Sequence, residues 1–253
     1  MPPSTIGKSL RAARRRRGWT REELAHRASL SVAAIAQIET GRRTDVRISS
    51  VVALADALEV SVDHLAGVAV TPARVTLRHR ALIYRDADEF LAGTAGFLQE
   101  ALERGEGALA VAGQERIDLL RDALGAQATD VELYDSAAWY SSPLDALARY
   151  RAYLEEQLAA GSTWMRIVGE PVWNGRSPAE TIEWIRYESI INLVFASAPA
   201  TIVCPYDAAS LPADLLELAR CTHPELAGPA AVDGSADYID PEELLIRQAH
   251  AAR

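Results

Sequence analysis

The side chains most able to do chemistry follow a series of short apolar runs. Glu170, Pro171 and Trp173 come directly after one such run, and Tyr206 and Asp207 end another. If the runs are parallel strands, their carboxyl ends share one edge of a sheet, where ligands bind in folds of this kind. A carboxylate set among aromatic rings is typical of a small-molecule pocket. The same rule adds three residues at or just beyond strand ends, namely Tyr84, Trp139 and Tyr140.

A polar stripe runs along the helix that is predicted after the Glu170 loop. Trp184, Glu188 and Asn192 recur at intervals of four, so they share one face of an otherwise apolar helix. That face either contributes to the pocket or satisfies buried polar groups, for example through an ion pair between Glu188 and Arg166. Tryptophans are also common in cores, because burying aromatic area is their commonest role. Both interpretations stay open at this stage.

The order of apolar and amphipathic segments predicts the architecture that positions these side chains. Five pairs of strand and helix follow one another, which indicates an α/β domain with a mainly parallel sheet covered by helices. The predicted strands are 77–84, 108–112, 131–134, 165–168 and 201–204, and the predicted helices are 89–103, 115–124, 144–159, 179–195 and 211–221. Residues 229–253 are expected to form a flexible tail with a short terminal helix.

A second group of residues, near the amino end, suits contact with nucleic acid. Thr20 and Glu23 form a capping box that predicts one helix, and Ser31 can cap the next. Ile35 and Ile38 have core spacing on this next helix, which leaves an outward face that could read the major groove of DNA. The residues of that face are Val32, Ala33, Ala36 and Gln37.

The chemistry of these side chains separates two kinds of DNA contact. Gln37 alone on the outward face can make a bidentate contact with adenine, whereas the other three residues could touch only thymine methyl groups. Arg21, Arg42 and Arg43 flank the two helices and are placed for phosphate contacts, which fix the register without reading sequence. We predict modest direct readout, with DNA shape and a second half-site supplying much of the discrimination.

Charge separates the amino-terminal region from the rest of the chain. Residues 1–67 hold 11 lysines and arginines against 7 aspartates and glutamates, whereas the whole chain has a formal charge of −9. Positive charge gathered on one module attracts phosphates, and the run from Arg14 to Arg17 either touches the DNA backbone or is a solvated helix end. At 253 residues the chain has room for two domains. With 2 cysteines, no apolar stretch long enough to span a bilayer and no signal peptide, we expect a cytoplasmic protein.

The region from Ile6 to Gly67 closely resembles the XRE family, the Cro and lambda-repressor type of helix-turn-helix domain. Three segments carry the resemblance: Thr-x-Glu-Glu-Leu-Ala from Thr20, Ile-x-x-Ile-Glu-x-Gly-x-Arg from Ile35, and Ala-x-Ala-Leu-x-Val-Ser-x-Asp-x-Leu from Ala55. The resemblance implies an all-α bundle that binds double-stranded DNA. It places a DNA-binding domain at 1–67, followed by a linker at 68–76.

The region from 77 to 228 looks like the MEDS sensory domain. The matching segments are 79–84, 139–140, 166–173, 188 with 192, 204–207 and 222–224. The resemblance implies a RecA-like fold that senses a small organic molecule and has lost nucleotide hydrolysis, since no Gly-x-x-x-x-Gly-Lys-Ser/Thr phosphate loop occurs. The residues that match the family position by position are His79, Tyr84, Glu170, Trp173, Glu188, Asn192, Tyr206 and His223. The full set of candidate ligand residues is His79, Tyr84, Trp139, Tyr140, Arg166, Glu170, Trp173, Glu188, Asn192 and Tyr206.

Metal binding and catalysis are the main alternatives for the polar residues of this region. His79, Cys204, Cys221 and His223 are possible metal ligands, but Cys221-x-His223 lacks the paired cluster that structural zinc sites use. Catalysis by a histidine or glutamate of the set would need only a shifted pKa, yet no nucleophile elbow, phosphate loop or metal motif accompanies these residues. We therefore expect no metal, no cofactor and no enzymatic activity.

These observations together predict a transcriptional regulator that binds double-stranded DNA as a homodimer. Its α/β domain would bind a small organic effector and thereby modulate operator binding. The alternative is a regulator of anti-sigma or partner-switch type, tethered to DNA and acting through protein contact. A small molecule that changes operator affinity would favour the first function, and a protein that does so would favour the second.

Overall fold

The computed structural model describes residues 5–43, 45–60, 62–66, 77–228 and 231–251, and the chain divides into a helical unit and an α/β unit. This confirms the predicted fold class, an all-α bundle followed by an α/β domain with a mainly parallel sheet. The predicted linker at 68–76 lies outside the described residues. None of the described helices combines the length and the apolar character needed to cross a lipid bilayer.

The helical unit packs five described helices around an apolar core. The helices are α1 (Thr5–Arg16), α2 (Arg21–Arg27), α3 (Val32–Glu39), α4 (Ile48–Ala57) and α5 (Val62–Ala66). Each of the first four buries residues at intervals of three or four, so that one apolar stripe faces the centre. The core includes Leu10, Leu24, Ile35, Leu54 and Leu58.

Both helix starts predicted for the helix-turn-helix motif are confirmed. The Thr20 hydroxyl accepts the backbone N–H of Glu23, and the Glu23 carboxylate accepts the backbone N–H of Thr20, which completes the capping box. The Ser31 hydroxyl accepts the backbone N–H of Ala34 and caps α3. Between the two helices Ser29 adopts a positive φ of 53°, which closes the predicted tight turn.

Glycine at position 7 allows α1 and α3 to pack closely. A Cβ atom at Gly7 would lie 2.3 Å from the carbonyl oxygen of Ile38, a distance that no side chain could accept. The backbone of α1 therefore contacts the end of α3 directly, and this contact fixes the orientation of the helix whose outward face was predicted to read DNA.

The α/β unit is built on a seven-stranded sheet within the described residues. Its strands lie in the order β3-β2-β4-β5-β1-β6-β7, and all pairs are parallel except β6 with β7. The strands are β1 (Arg78–Tyr84), β2 (Gly107–Ala112), β3 (Glu132–Asp135), β4 (Met165–Gly169), β5 (Ala200–Asp207), β6 (Glu225–Ala227) and β7 (Val232–Gly234). The helices are α6 (Ala87–Arg104), α7 (Gln114–Leu124), α8 (Ser136–Trp139), α9 (Pro143–Ala159), α10 (Pro178–Val194), α11 (Ala213–Thr222) and α12 (Pro241–Ala251), with a 3-10 helix at Gly125–Asp130.

The topology opens a crevice at the carboxyl edge between β2 and β4. The chain leaves β2 towards β3 on one side and leaves β4 towards β5 on the other, although β2 and β4 are hydrogen-bonded neighbours. The loops that follow these two strands therefore diverge. In open α/β sheets, ligands bind where the connections part in this way.

The end of the chain is more ordered than the sequence predicted. Residues 232–234, within the segment expected to be flexible, form β7 and pair antiparallel with β6. The predicted terminal helix is present as α12, which lies against α10 and buries Leu244 and Leu245. The strand was missed because three exposed residues carry no hydrophobic pattern.

Candidate functional site

The outward face of α3 has the exposure that DNA reading requires. Val32, Ala33 and Gln37 are exposed and Ala36 is half-buried, whereas Ile35 on the opposite side is fully buried. The predicted readout residues therefore share one accessible surface, and the apolar side holds the helix to its unit.

Arg21 and Arg14 converge on a carboxylate inside the helical unit. The Arg14 guanidinium donates to both oxygens of Glu39, at 2.6 and 3.1 Å, and Arg21 Nε donates to the same carboxylate at 2.8 Å. Burial opposes ionisation of Glu39, but the two arginines outweigh it and hold the pKa of Glu39 below its usual range. Arg14 is buried and paired with Glu39, so neither alternative for the Arg14 to Arg17 run, a DNA contact or a solvated helix end, is correct for this residue. Arg21 keeps a half-buried guanidinium, and its phosphate contact stays a prediction.

The two arginines after α3 differ in their surroundings. Arg42 is exposed, whereas Arg43 is half-buried and its Nε donates to the backbone carbonyl of Asp45 at 2.8 Å. The backbone N–H groups of both arginines donate to the carbonyl of Gln37. The loop that carries the predicted phosphate contacts is thus tied to the end of the predicted reading helix.

A cleft of about 280 Å³ lies at the crevice between β2 and β4. Residues 113–116, which follow β2, line one wall, and residues 170–174, which follow β4, line the other. Tyr84 and Asp207, at the ends of β1 and β5, also line the cleft, together with Ser136, Ser210 and Leu211. Three predicted ligand residues, Tyr84, Glu170 and Trp173, are therefore brought together at the predicted edge of the sheet.

A hydrogen-bonded group of charged and phenolic side chains occupies this cleft. The Tyr84 hydroxyl donates to Glu170 Oε1 at 2.7 Å and accepts Arg116 Nε at 3.2 Å. Arg116 also lies 3.5 Å from Asp207 Oδ2. Burial raises the pKa of Glu170, and Tyr84 and Arg116 offset only part of that effect. Burial and the charge of Glu170 raise the pKa of Tyr84, so its hydroxyl stays a proton donor.

Trp173 forms the inner wall of the cleft and connects it to the interior. Its indole stacks on the ring of Tyr206 with centroids 5.6 Å apart, and Tyr206 meets the His223 imidazole edge to face, also at 5.6 Å. All three side chains are buried. Tyr206, a predicted ligand residue, is therefore one layer behind the cleft.

Three further predicted ligand residues lie elsewhere. Tyr140 packs in a cluster of rings with Tyr150, Trp184 and Tyr187, and Trp139 packs beside it on Tyr150, which matches the core alternative for tryptophan. Arg166 pairs with Glu100 and Glu106 at 2.7 Å in each case. Its suggested ion pair with Glu188 is therefore wrong, because Arg166 is on the opposite side of β4 and near its amino end.

The remaining three predicted residues, His79, Glu188 and Asn192, form part of a buried centre. Four residues of this centre have side chains of types that can bind a metal ion: His79, Glu188, Cys204 and His223. We name these four residues the His-Glu-Cys cluster. Their ligand atoms all lie within 4.8 Å of one another, and each residue is buried. His79 and Tyr84 are an odd number of residues apart on β1, so this cluster is on the other face of the sheet from the Tyr84 hydroxyl.

Glu188 Oε2 lies close to each of the other three ligand atoms. It is 3.5 Å from His79 Nε2, 3.5 Å from His223 Nε2 and 3.6 Å from Cys204 Sγ. His79 Nε2 also lies 3.3 Å from Cys204 Sγ. His223 Nε2 has no hydrogen-bond partner among the described residues.

The other ring nitrogen of each histidine has a partner that fixes the proton. The Asn192 amide donates through Nδ2 to the carbonyl of Thr222, so its Oδ1 faces His79 Nδ1 at 3.1 Å as an acceptor. His223 Nδ1 lies 2.7 Å from the carbonyl of Ala219, which can only accept. Each Nδ1 therefore carries a proton, so in the neutral form of either imidazole the Nε2 lone pair faces Glu188.

The electrostatics of the cluster favour a neutral His79 beside an ionised Glu188. Burial and the neighbouring His223 lower the pKa of His79 to about 4. Burial opposes ionisation of Glu188, whereas a proton on the facing nitrogen of His223 or His79 would favour it and lower the pKa of Glu188. Burial and the Glu188 charge raise the pKa of Cys204, so the thiol keeps its proton.

Two contributions were missed by sequence reasoning. Arg116 was not singled out, although it lies in the first turn of α7, the helix that follows β2, and an arginine beside the carboxyl end of a strand is a usable signal for a ligand cleft. The meeting of Glu188 with Cys204 and both histidines was also missed, because the four residues come from β1, α10, β5 and the residue after α11. Only a three-dimensional register brings them together.

A basic helix-turn-helix unit joined to an α/β unit with a polar cleft defines a class of two-domain DNA-binding regulators. Family models agree: the helix-turn-helix model HTH_3 matches residues 10–65, and the model of the MEDS domain, described as the methanogen/methylotroph, DcmR sensory domain, matches residues 78–224. The second match covers more than half of the chain, and the chain belongs to the MEDS family. It is an XRE-type helix-turn-helix DNA-binding regulator that carries a MEDS sensory domain.

Among solved structures, the chain is similar to the restriction-modification controller protein C.AhdI from Aeromonas hydrophila. The two are 30% identical over 24% of this chain and 91% of that chain, with a TM-score of 0.23. A comparison with curated protein sequences finds no significant match.

Proposed function

We propose that the α/β unit binds a small organic effector in the cleft and thereby changes the affinity of the helical unit for its operator. The observation that carries this proposal is the convergence of Tyr84, Arg116 and Glu170 with Trp173 at the carboxyl edge of the sheet. A few polar groups beside an aromatic wall fix the orientation of a small ligand and supply apolar contact. The printed description of the matching family, a sensory domain, supports the same role.

The chemistry of the cleft indicates what the effector offers. Glu170 accepts hydrogen bonds, and Arg116 is a cation whose side chain is only 17% exposed. Val172 and Trp173 add apolar surface on the same wall. An effector with a hydroxyl or amine donor for Glu170 and a short apolar part would fit these groups.

We further propose that the cleft binds its effector without transforming it. Glu170 and Arg116 both hydrogen-bond to Tyr84, and their opposite charges attract each other. Polar groups held in place in this way suit recognition of a ligand. Recovery of the compound unchanged after prolonged incubation with the protein would support this. Conversion of the compound at a rate that depends on Glu170 would contradict it.

The regulator is proposed to act as a homodimer. The exposed face of α3 offers one side chain for a bidentate base contact, Gln37, so a single unit would discriminate weakly between sequences. Two units on a two-fold operator would add their contacts. Sedimentation of the full chain with and without operator DNA tests the stoichiometry, and one chain for each operator would contradict the proposal.

The regulatory proposal is tested with the full chain in three steps. Selection from random duplex DNA first supplies an operator. Compounds that raise the melting temperature of the protein are then added to an anisotropy titration with that operator. Linkage requires an effector to shift operator affinity by about 5–150-fold, equivalent to about 1–3 kcal/mol.

Matched variants assign the shift to the cleft. Tyr84→Phe and Glu170→Gln should reduce the response to the effector while operator affinity without effector is retained. Asp122→Asn, at an exposed residue of α7 that does not line the cleft, should respond as the unmodified chain does. If stabilising compounds leave operator affinity unchanged and only an added protein alters it, the chain is a partner-switch regulator and the effector proposal is wrong.

A further inference from the structure

We propose that the His-Glu-Cys cluster binds one divalent transition ion of the zinc type. The site is separate from the cleft, and the proposal does not depend on the effector. Three observations carry it: the spacing of the four ligand atoms, the direction of the histidine lone pairs, and the balance of charge.

The spacing matches a tetrahedral metal shell. With zinc bonds of about 2.1 Å to nitrogen and oxygen and about 2.3 Å to sulfur, neighbouring ligand atoms lie about 3.4 Å apart, or about 3.6 Å apart where sulfur is involved. The separations of Glu188 Oε2 from the two Nε2 atoms are 3.5 Å, and its separation from Cys204 Sγ is 3.6 Å. His79 Nε2 and Cys204 Sγ are slightly closer, at 3.3 Å, and all four atoms lie within 4.8 Å of one another. The separations from Glu188 Oε2 therefore already match a coordination shell, and small shifts of the remaining side chains would complete it.

The Nε2 lone pairs of the two histidines point towards the Glu188 carboxylate. Asn192 Oδ1 and the Ala219 carbonyl hold the protons of the two histidines on Nδ1, so both Nε2 atoms face the Glu188 carboxylate as acceptors. The Cys204 thiol can donate one proton to Glu188, but neither neutral imidazole can. His223 Nε2 is left buried with no hydrogen bond in the described part of the chain, which is costly for a neutral imidazole, and a metal cation beside this nitrogen would remove the cost.

The charges of the ligands suit a divalent ion. On binding, the Cys204 S–H bond breaks, the sulfur–metal bond forms and one proton leaves for solvent. The thiolate and the Glu188 carboxylate then neutralise the two positive charges, and the imidazoles stay neutral. Sulfur and imidazole ligands favour zinc and its late first-row neighbours, whereas magnesium and calcium require oxygen ligands.

The surroundings support the same assignment. Metal-bound histidines usually donate their second N–H to an amide or backbone carbonyl, which is the role of Asn192 for His79 and of the Ala219 carbonyl for His223. Four protein ligands close the shell, and such closed sites typically stabilise a fold. The ion would tie β1, β5 and α10 to the residue after α11.

The first test measures metal in the untagged full chain. Elemental analysis of protein purified without chelator should give about one zinc-type ion for each chain. Because the site is buried, the metal-free protein is prepared by unfolding in chelator and is refolded with Co²⁺. One equivalent of Co²⁺ should bind, with thiolate-to-cobalt charge-transfer absorption and release of about one proton. A protein that holds no metal as purified and takes up none on refolding overturns the proposal.

Variants identify the ligands. Cys204→Ser should lose the charge-transfer absorption, whereas Cys221→Ser, at the half-exposed second cysteine, should keep it. Asn192→Ala retains all four ligands and should weaken Co²⁺ binding by about 10–100-fold. Circular dichroism checks that each variant folds. Charge-transfer absorption that survives Cys204→Ser, or that vanishes in Cys221→Ser, would place the ion elsewhere and refute the assignment.

Discussion

The indole of Trp173 stacks on the ring of Tyr206 at a centroid distance of 5.6 Å, with 28° between the ring planes. One ring faces the cleft and the other reaches His223 in the buried centre. A ligand that displaces Trp173 would therefore disturb Tyr206 and the surroundings of His223, which lie on the face of the sheet opposite the Tyr84 hydroxyl. The pair is the direct structural connection between the cleft and the interior.

Trp173→Ala is expected to destabilise the α/β unit. Removal of a buried indole leaves a cavity beside Tyr206, and changes of this kind cost about 3–5 kcal/mol. Urea unfolding monitored by circular dichroism measures the loss. Val172→Ala, at the exposed neighbour in the same loop, should stay within about 0.5 kcal/mol of the unmodified chain. Equal effects of the two changes would show that the stack contributes nothing.

Glu170 makes the stability of the α/β unit depend on pH. Burial raises its pKa, so the folded protein holds this proton more tightly than the unfolded chain. The stabilising contribution is fully present below the ordinary pKa of a glutamate and is lost as pH rises through the raised value. Glu170→Gln stays neutral at every pH and lacks this dependence.

Urea unfolding at a series of pH values checks the sign. The stability of the unmodified chain relative to Glu170→Gln should fall as pH rises from acid to neutral. Glu115→Gln, on the same cleft, serves as the control for removing an exposed carboxylate. A difference that grows with pH would mean that Tyr84 and Arg116 outweigh burial.

The pair of Arg14 and Glu39 should be essential to the helical unit. Glu39→Ala leaves a buried guanidinium without its partner, and breaking a buried pair in this way costs about 3–5 kcal/mol. Glu59→Ala removes an exposed partner of Arg17 and should leave stability nearly unchanged. Thermal unfolding of the two variants gives the comparison, and a similar melting temperature for both would contradict the structural role of Glu39.

The two types of DNA contact should separate in binding titrations. Gln37→Ala should lose about 1–3 kcal/mol of discrimination at one base position, whereas Arg42→Ala should weaken binding to all sequences and reduce the salt slope by about 1. Arg121→Ala, at an exposed arginine of the α/β unit, is the control and should change neither quantity. Equal losses across all sequences for Gln37→Ala and Arg42→Ala would refute the assigned roles.

The elements were predictable from the sequence because their signals are local. The capping residues Thr20 and Ser31 mark the starts of α2 and α3, and apolar runs such as 108–112 mark the buried strands. The carboxyl ends of parallel strands lie at one edge of a sheet, and this rule correctly predicted that Tyr84, Glu170 and Trp173 lie close together. Local pattern and topology were sufficient for these features.

The remaining features depend on distant partners. An ion pair between Arg166 and Glu188 was one alternative from the sequence, but strand alternation turns Arg166 towards Glu100 and Glu106. The His-Glu-Cys cluster needs the register of β1 against β5, in which His79 faces Ile202 and Ala81 faces Cys204. The spacing of residues along the sequence does not show how two distant strands align.

The position of β1 has a consequence for synthesis. Among the described strands it comes first in the sequence, yet it pairs with β5 and β6, which follow β2, β3 and β4. Until β5 is synthesised, the backbone N–H and C=O groups of β1 lack their native neighbouring strands, and pairing across such a sequence separation is slow. A polypeptide released before Ala200 therefore presents an open strand of the kind that seeds aggregation. Synthesis of β5 is the step that covers the first exposed edge of β1.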